Sequence, residues 1–89
     1  MSTPYTRDEH RAAAARRDMQ AIARTADILR QLASYDGHLD PRRGYVSTNI
    51  AALVEAVGRA YRDVPADVAA RVMAVVVAVD RATGQRGTS

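Results

Sequence analysis

The alternation of apolar and polar positions resolves the chain into three stretches of helical period. The most apolar is Arg71 to Asp80, RVMAVVVAVD, in which eight apolar residues follow one another. Val68, Val72, Val75 and Val79 recur at i, i+4, i+7 and i+11, the period of a helix and not of a strand. Ala70, Ala74, Ala78 and Ala82 form a second line at i+4, and Met73, Val76 and Val77 close the gaps. A helix apolar on every side is expected to be covered on every side. In an 89-residue chain that calls for wrapping by the other elements or for a second copy.

Upstream, Thr6-Arg7-Asp8-Glu9 has the form of a capping box, with Thr6 as N-cap and Glu9 reaching back. Asp8 and Glu9 also suit the positive end of a helix dipole. With no Gly or Pro between Thr6 and Gly37, one helix of about 29 residues, roughly 43 Å long, is expected. Its seam is Ala12, Ala15, Met19, Ile22, Ala26, Leu29 and Ala33, and Ile28, Leu32 and Tyr35 widen it in the second half. The 3-4 spacing suits a coiled coil. Four of the seven seam residues are Ala, however, which favours close antiparallel packing in a bundle.

Residues 36–47, DGHLDPRRGYVS, read as the one substantial loop, with turn residues at Asp36, Gly37, Asp40, Pro41 and Gly44. Ser47 or Thr48 then caps a second helix to about Asp63, burying Ile50, Val54, Val57, Tyr61 and Val64, flanked by Leu53 and Ala60. Gly58 inside it marks close contact with another helix. Asp63-Val64-Pro65 breaks the chain, Pro65 opens the third helix and Gly84 ends it. Residues 1–5 and 85–89 read as disordered. The whole of 1–89 is one helical domain.

Composition sharpens this picture. Apolar residues make up 47% of the chain, but Phe and Trp are absent and the aromatics are Tyr5, Tyr35, Tyr45 and Tyr61. A core of small side chains is thin, and association is a usual remedy. All thirteen basic side chains are Arg, giving a net charge of +3. Biased coding toward Ala, Arg, Val, Gly and Asp accounts for this; the guanidinium fork also suits phosphate and carboxylate. Without Cys there is no disulfide, thiolate or Cys-based metal site. No signal pattern opens the chain, and no apolar run approaches the ~20 residues of a membrane span. A soluble cytoplasmic protein is expected.

Candidate chemistry is sparse. Ser34 and Ser47 lack a His and carboxylate at motif spacing, Glu9-His10 is not a zincin motif, and Gly84-Gln85-Arg86-Gly87 follows a helix where a phosphate loop would open one. No catalytic residue and no cofactor are assigned. Asp36, His38 and Asp40 could approach a divalent ion, but they read as turn residues, so no metal site is assigned either. The Arg residues carry more. Glu55/Arg59, Asp67/Arg71 and Asp27/Arg30 are helical ion-pair spacings. His10, Arg17, Arg24 and Gln31 recur every seven residues away from the seam, making a basic ridge.

The sequence therefore predicts an all-α, three-helix protomer: a long N-terminal helix, a loop and a helical hairpin, forming a homo-oligomeric helical bundle. Val68, Val72, Met73, Val75, Val76 and Val79 are the expected oligomer interface, and Val76→Asp is expected to abolish assembly and, with it, folding. The expected function is a small non-enzymatic accessory or regulatory protein, most simply a homodimer, that binds a protein partner. Arg16, Arg17, Arg24, Arg42, Arg43 and Tyr45 are its candidate contacts. The alternative is nucleic-acid binding, with the same Arg residues on phosphates and Tyr45 as a stacking ring. Helices 2 and 3 do not make a helix-turn-helix reader, because helix 3 lacks a polar outer face. A structural or assembly component is the third reading.

Overall fold

The structure, a computed structural model, describes residues 7–84. Three helices follow in order: α1 (Arg7–Leu39), α2 (Pro41–Arg59) and α3 (Ala66–Thr83), with a 3-10 turn at Tyr61–Asp63 before α3. No strand occurs among the described residues. Thr6, the expected N-cap of α1, lies outside them, as do 1–5 and 85–89.

α1 and α2 form an antiparallel hairpin whose corner is a single residue. The expected loop over 36–47 does not exist. α1 runs through Asp36 and Gly37, and α2 has begun by Pro41. The stop comes from Pro41, which disfavours helical backbone in the residue before it. Asp40 is accordingly extended (φ −156°, ψ 116°). Its carboxylate accepts the Arg42 amide at 3.0 Å, making Asp40 the N-cap in place of Ser47 or Thr48. The Asp40 amide still donates to Asp36 O (2.8 Å), and its own carbonyl accepts from Gly44 N (3.0 Å). One residue thus closes one helix and opens the next.

Small residues let the two helices touch. Gly37 and Gly44 face each other at the corner, and a Cβ built on Gly44 would overlap Gly37 Cα and lie 2.8 Å from Gly37 N. At the far end Gly58 receives Ile22, whose Cγ2 would be 2.7 Å from an added Cβ. The seam between them holds Ile22, Ala26 and Ala33 from α1 and Ala51 and Val54 from α2, all buried. The α1 seam is the expected one, with Thr25 added to it. The α2 face is not. Ile50 is 47% exposed and Leu53 64%, because α2 turns Gly44, Ala51, Val54 and Gly58 toward α1 instead.

α2 ends at Arg59, short of the expected Asp63, and Val64 and Pro65 are extended (ψ 152° and 154°) before α3 begins. Gly84 ends α3 in the left-handed region (φ 69°), where its amide reaches Asp80 O. α3 lies against the hairpin and is not enclosed by it. Val72 and Val76 are buried with Ile22, Ala26 and Val54, while Ala70, Ala74 and Ala78 face outward. Within the protomer α3 is therefore covered along its valine stripe, and not on every side. Ala is small enough that an exposed row of it costs little, so the valine stripe alone drives docking. The assembly is flat, with extents of 61 × 34 × 17 Å.

Candidate functional site

The carboxylates nearest the hairpin corner are engaged in holding it together. Asp36 accepts Ser47 Oγ at 2.7 Å through one oxygen and pairs with Arg43 at 3.4 Å through the other. Asp40 caps α2. Higher up, Arg30 bridges the helices, bonding both Asp27 on its own helix and Glu55 on α2. Asp27/Arg30 is the expected helical pair; Glu55 turns to α1, and the Asp67 carboxylate accepts the Val68 amide at 2.9 Å. The Arg30 bond holds the Glu55 carboxyl below its ordinary value. Tyr61 anchors the 3-10 turn, donating its hydroxyl to Asp18 at 2.9 Å. Burial, and then the bond to Asp18, raise the Tyr61 phenol above its usual value. Among the described residues no three His, Asp or Glu side chains converge as a metal site would require.

The sequence-predicted contact residues fall in two places. Arg16, Arg17 and Arg24 are exposed along α1, with His10 and Gln31 on the same ridge. Arg42, Arg43 and Tyr45 occupy the first turns of α2, where a loop was expected. Arg43 reaches Asp36, and from Arg24 to Asp36 is twelve residues, about 18 Å of helix. The two groups are therefore separate. Tyr45 is exposed (74%) and its carbonyl accepts the Asn49 side chain.

The predicted interface residues also divide. Val72 and Val76 are buried inside the protomer; Val68, Met73, Val75 and Val79 are half-buried. Val68, Val72 and Val75 line an apolar cleft with Leu53, Val54 and Val57 of α2.

A wider exposed apolar surface adjoins this cleft at Leu53 and runs to the corner. Leu32, Tyr35 and Leu39 on α1, and Val46, Ile50 and Leu53 on α2, are all large and 46–64% exposed. Their spacings, 32-35-39 and 46-50-53, are helical, so each set shares one face of its helix. They also share one side of the hairpin. Leu32 precedes buried Ala33, Ile50 precedes Ala51 and Leu53 precedes Val54, so both sets are offset from the seam in the same sense. In an antiparallel pair, related by a two-fold perpendicular to its plane, equal offsets point to the same side. The Gly37–Gly44 approach sets the register and brings Tyr35 level with Val46 and Leu32 with Ile50. The sequence placed Leu32, Tyr35, Ile50 and Leu53 in the core. Their readable signal was that each sits beside, and not on, the line of small seam residues.

Searches of protein-family models, curated proteins and solved structures found no match to this chain.

Proposed function

We propose that the chain is a small non-enzymatic accessory or regulatory protein that self-associates and acts by binding a protein partner. The observation that carries this reading is the open face of Leu32, Tyr35, Leu39, Val46, Ile50 and Leu53. Continuous apolar surface of this kind marks macromolecular contact sites. The polar groups favour the same reading, since Asp18, Asp36, Asp40 and Glu55 serve helix packing and capping. A cytoplasmic location belongs to the proposal. It accords with the lack of Cys and with the finding that no helix among the described residues is long and apolar enough to cross a membrane.

Nucleic-acid binding is the second reading, favoured by the exposed Arg16, Arg17 and Arg24 along α1. It is the weaker one, because Arg42 and Arg43 stand well away from that ridge and Arg43 reaches Asp36. Fluorescence anisotropy with a labelled duplex and a labelled single strand separates the two. Protein-partner binding predicts no association at low salt. Tight binding that falls steeply with salt, through counterion release, and weakens in Arg17→Ala/Arg24→Ala would put the nucleic-acid reading first.

A further inference from the structure

We infer that the open side of the hairpin corner is the self-association surface, and that its occupant is the same face of a second copy. This rests on the proposal of self-association and moves its site from α3 to the α1–α2 corner.

Three observations favour a second copy. The first is shape. Because Gly37 and Gly44 bring the helix backbones into contact, the groove between α1 and α2 is shallow at the corner. A single partner helix has little to lie in there, whereas a second flat helix pair meets it across its width. Two such hairpins face to face make a four-helix bundle, a standard solution for apolar helix pairs.

The second is area. Six side chains, each 46–64% open, present on the order of 500 Å² of apolar surface, near the upper range for the largest patch on a monomer. Pairing that also covers the flanking half-buried Ile28 and Val57 reaches roughly 600 Å² per partner, the lower end of the range for stable interfaces. None of the six positions is charged, so pairing leaves no unpartnered charge among them.

The third is need. The protomer's buried apolar core is Ile22, Ala26, Ala33, Ala51, Val54, Val72 and Val76, three of them Ala. The chain has no Cys to staple it. Association commonly reinforces a small domain with a core of this kind.

The test is sedimentation equilibrium of the full chain over a wide concentration range, with two variants. Wild type is expected at twice 9.6 kDa. Leu32→Lys/Ile50→Lys is expected to keep its helical circular dichroism and to raise the dimer dissociation constant about 100-fold or more. Ala74→Lys/Ala78→Lys, on the exposed side of α3, is expected to leave it nearly unchanged. A wild-type monomer throughout would overturn self-association itself. A dimer that survives the corner change and is lost in the α3 variant would overturn this surface and leave self-association standing. A nitroxide on Val46→Cys gives an answer independent of charge. It is expected to be immobilised and spin-coupled in the dimer, while one on Ala74→Cys stays mobile. The reverse pattern sinks the proposal.

Discussion

The two halves of the α1–α2 hairpin are built from similar apolar spacing and end in different states. In the half toward the 3-10 turn, Ile22, Ala26 and Val54 lie under Val72 and Val76, and the surface is closed by α3. In the corner half, Ala33 and Ala51 pack in the seam and the large side chains beside them stand open. The difference comes from what fills the seam. Ile22 is large and needs a pocket, which Gly58 provides and α3 covers. At the corner two glycines fill the seam with backbone, so the hairpin closes without consuming its large residues. Stability is concentrated in one half, and unsatisfied apolar surface in the other.

The largest effect should come from charging the closed half. Val76→Asp places a carboxylate where Ile22, Ala26 and Val54 offer no polar partner, and should destabilise by about 3 kcal/mol or more. That is a large share of the roughly 4–13 kcal/mol expected for a chain of this length. A thermal midpoint lower by roughly 12–24 °C is the expected outcome. The matched change in the open half, Val46→Gln, should stay within about 0.5 kcal/mol when measured at dilutions favouring the monomer. Equal losses in both would erase the distinction between the halves.

The next effect separates two glycines that face each other. A methyl on Gly44 meets Gly37 backbone, which cannot rotate away. Overpacking of about 1–3 kcal/mol should outweigh the gain of up to ~1 kcal/mol in helix propensity, so Gly44→Ala should lower the thermal midpoint. Gly37→Ala meets its nearest atom, Gly44 Cα, at an ordinary 3.7 Å. There the propensity gain of roughly 0.5–1 kcal/mol should win and raise the midpoint. Opposite signs from adjacent glycines would confirm that backbone contact closes the corner. A stabilised Gly44→Ala would show that it does not.

How much of this was legible in the sequence follows the same division. The α1 seam, the end of α3 at Gly84 and the helical character of the three main segments could be read from period and end signals. The corner could not. Asp36, Gly37, Asp40, Pro41 and Gly44 carry turn chemistry, and five such residues in nine look like a loop. Only pairing in space shows Gly37 and Gly44 to be a packing contact and Asp40 the sole break. That misreading shifted the start of α2 and, with it, the face of α2 thought to be buried. It also hid the candidate site. Leu32, Ile50 and Leu53 are the residues a period count assigns to a core, and their exposure appears only once small neighbours have taken the seam.

A smaller effect tests how α3 is held to the closed half. Tyr61→Phe removes the hydrogen bond to Asp18 and should cost about 0.5–1.5 kcal/mol at neutral pH. Because the folded Tyr61 phenol is raised above its ordinary value of 10.0, the fold favours its protonated form. That contribution is complete below pH 10 and is lost as pH rises through the folded value. Denaturant unfolding across the alkaline range should therefore show wild type losing more stability than Tyr61→Phe, the two curves converging. Parallel curves would mean the hydroxyl does not fasten the turn to α1.

The smallest effect lies at the boundary between the halves, where Arg30 reaches Glu55 across the hairpin. Both side chains are more than a third exposed, so water and salt screen the pair and it acts as a register mark more than as a brace. The Arg30 bond lowers the Glu55 carboxyl from its ordinary 4.5, so the fold favours the charged form. Its contribution is present above that value and is lost as pH falls through the lower, folded one. Glu55→Gln should then lower the thermal midpoint slightly at neutral pH and low salt. The gap to wild type should narrow with added salt and close in acid. A difference unmoved by pH or salt would have to come from packing, and would place Glu55 with the closed half instead of at its edge.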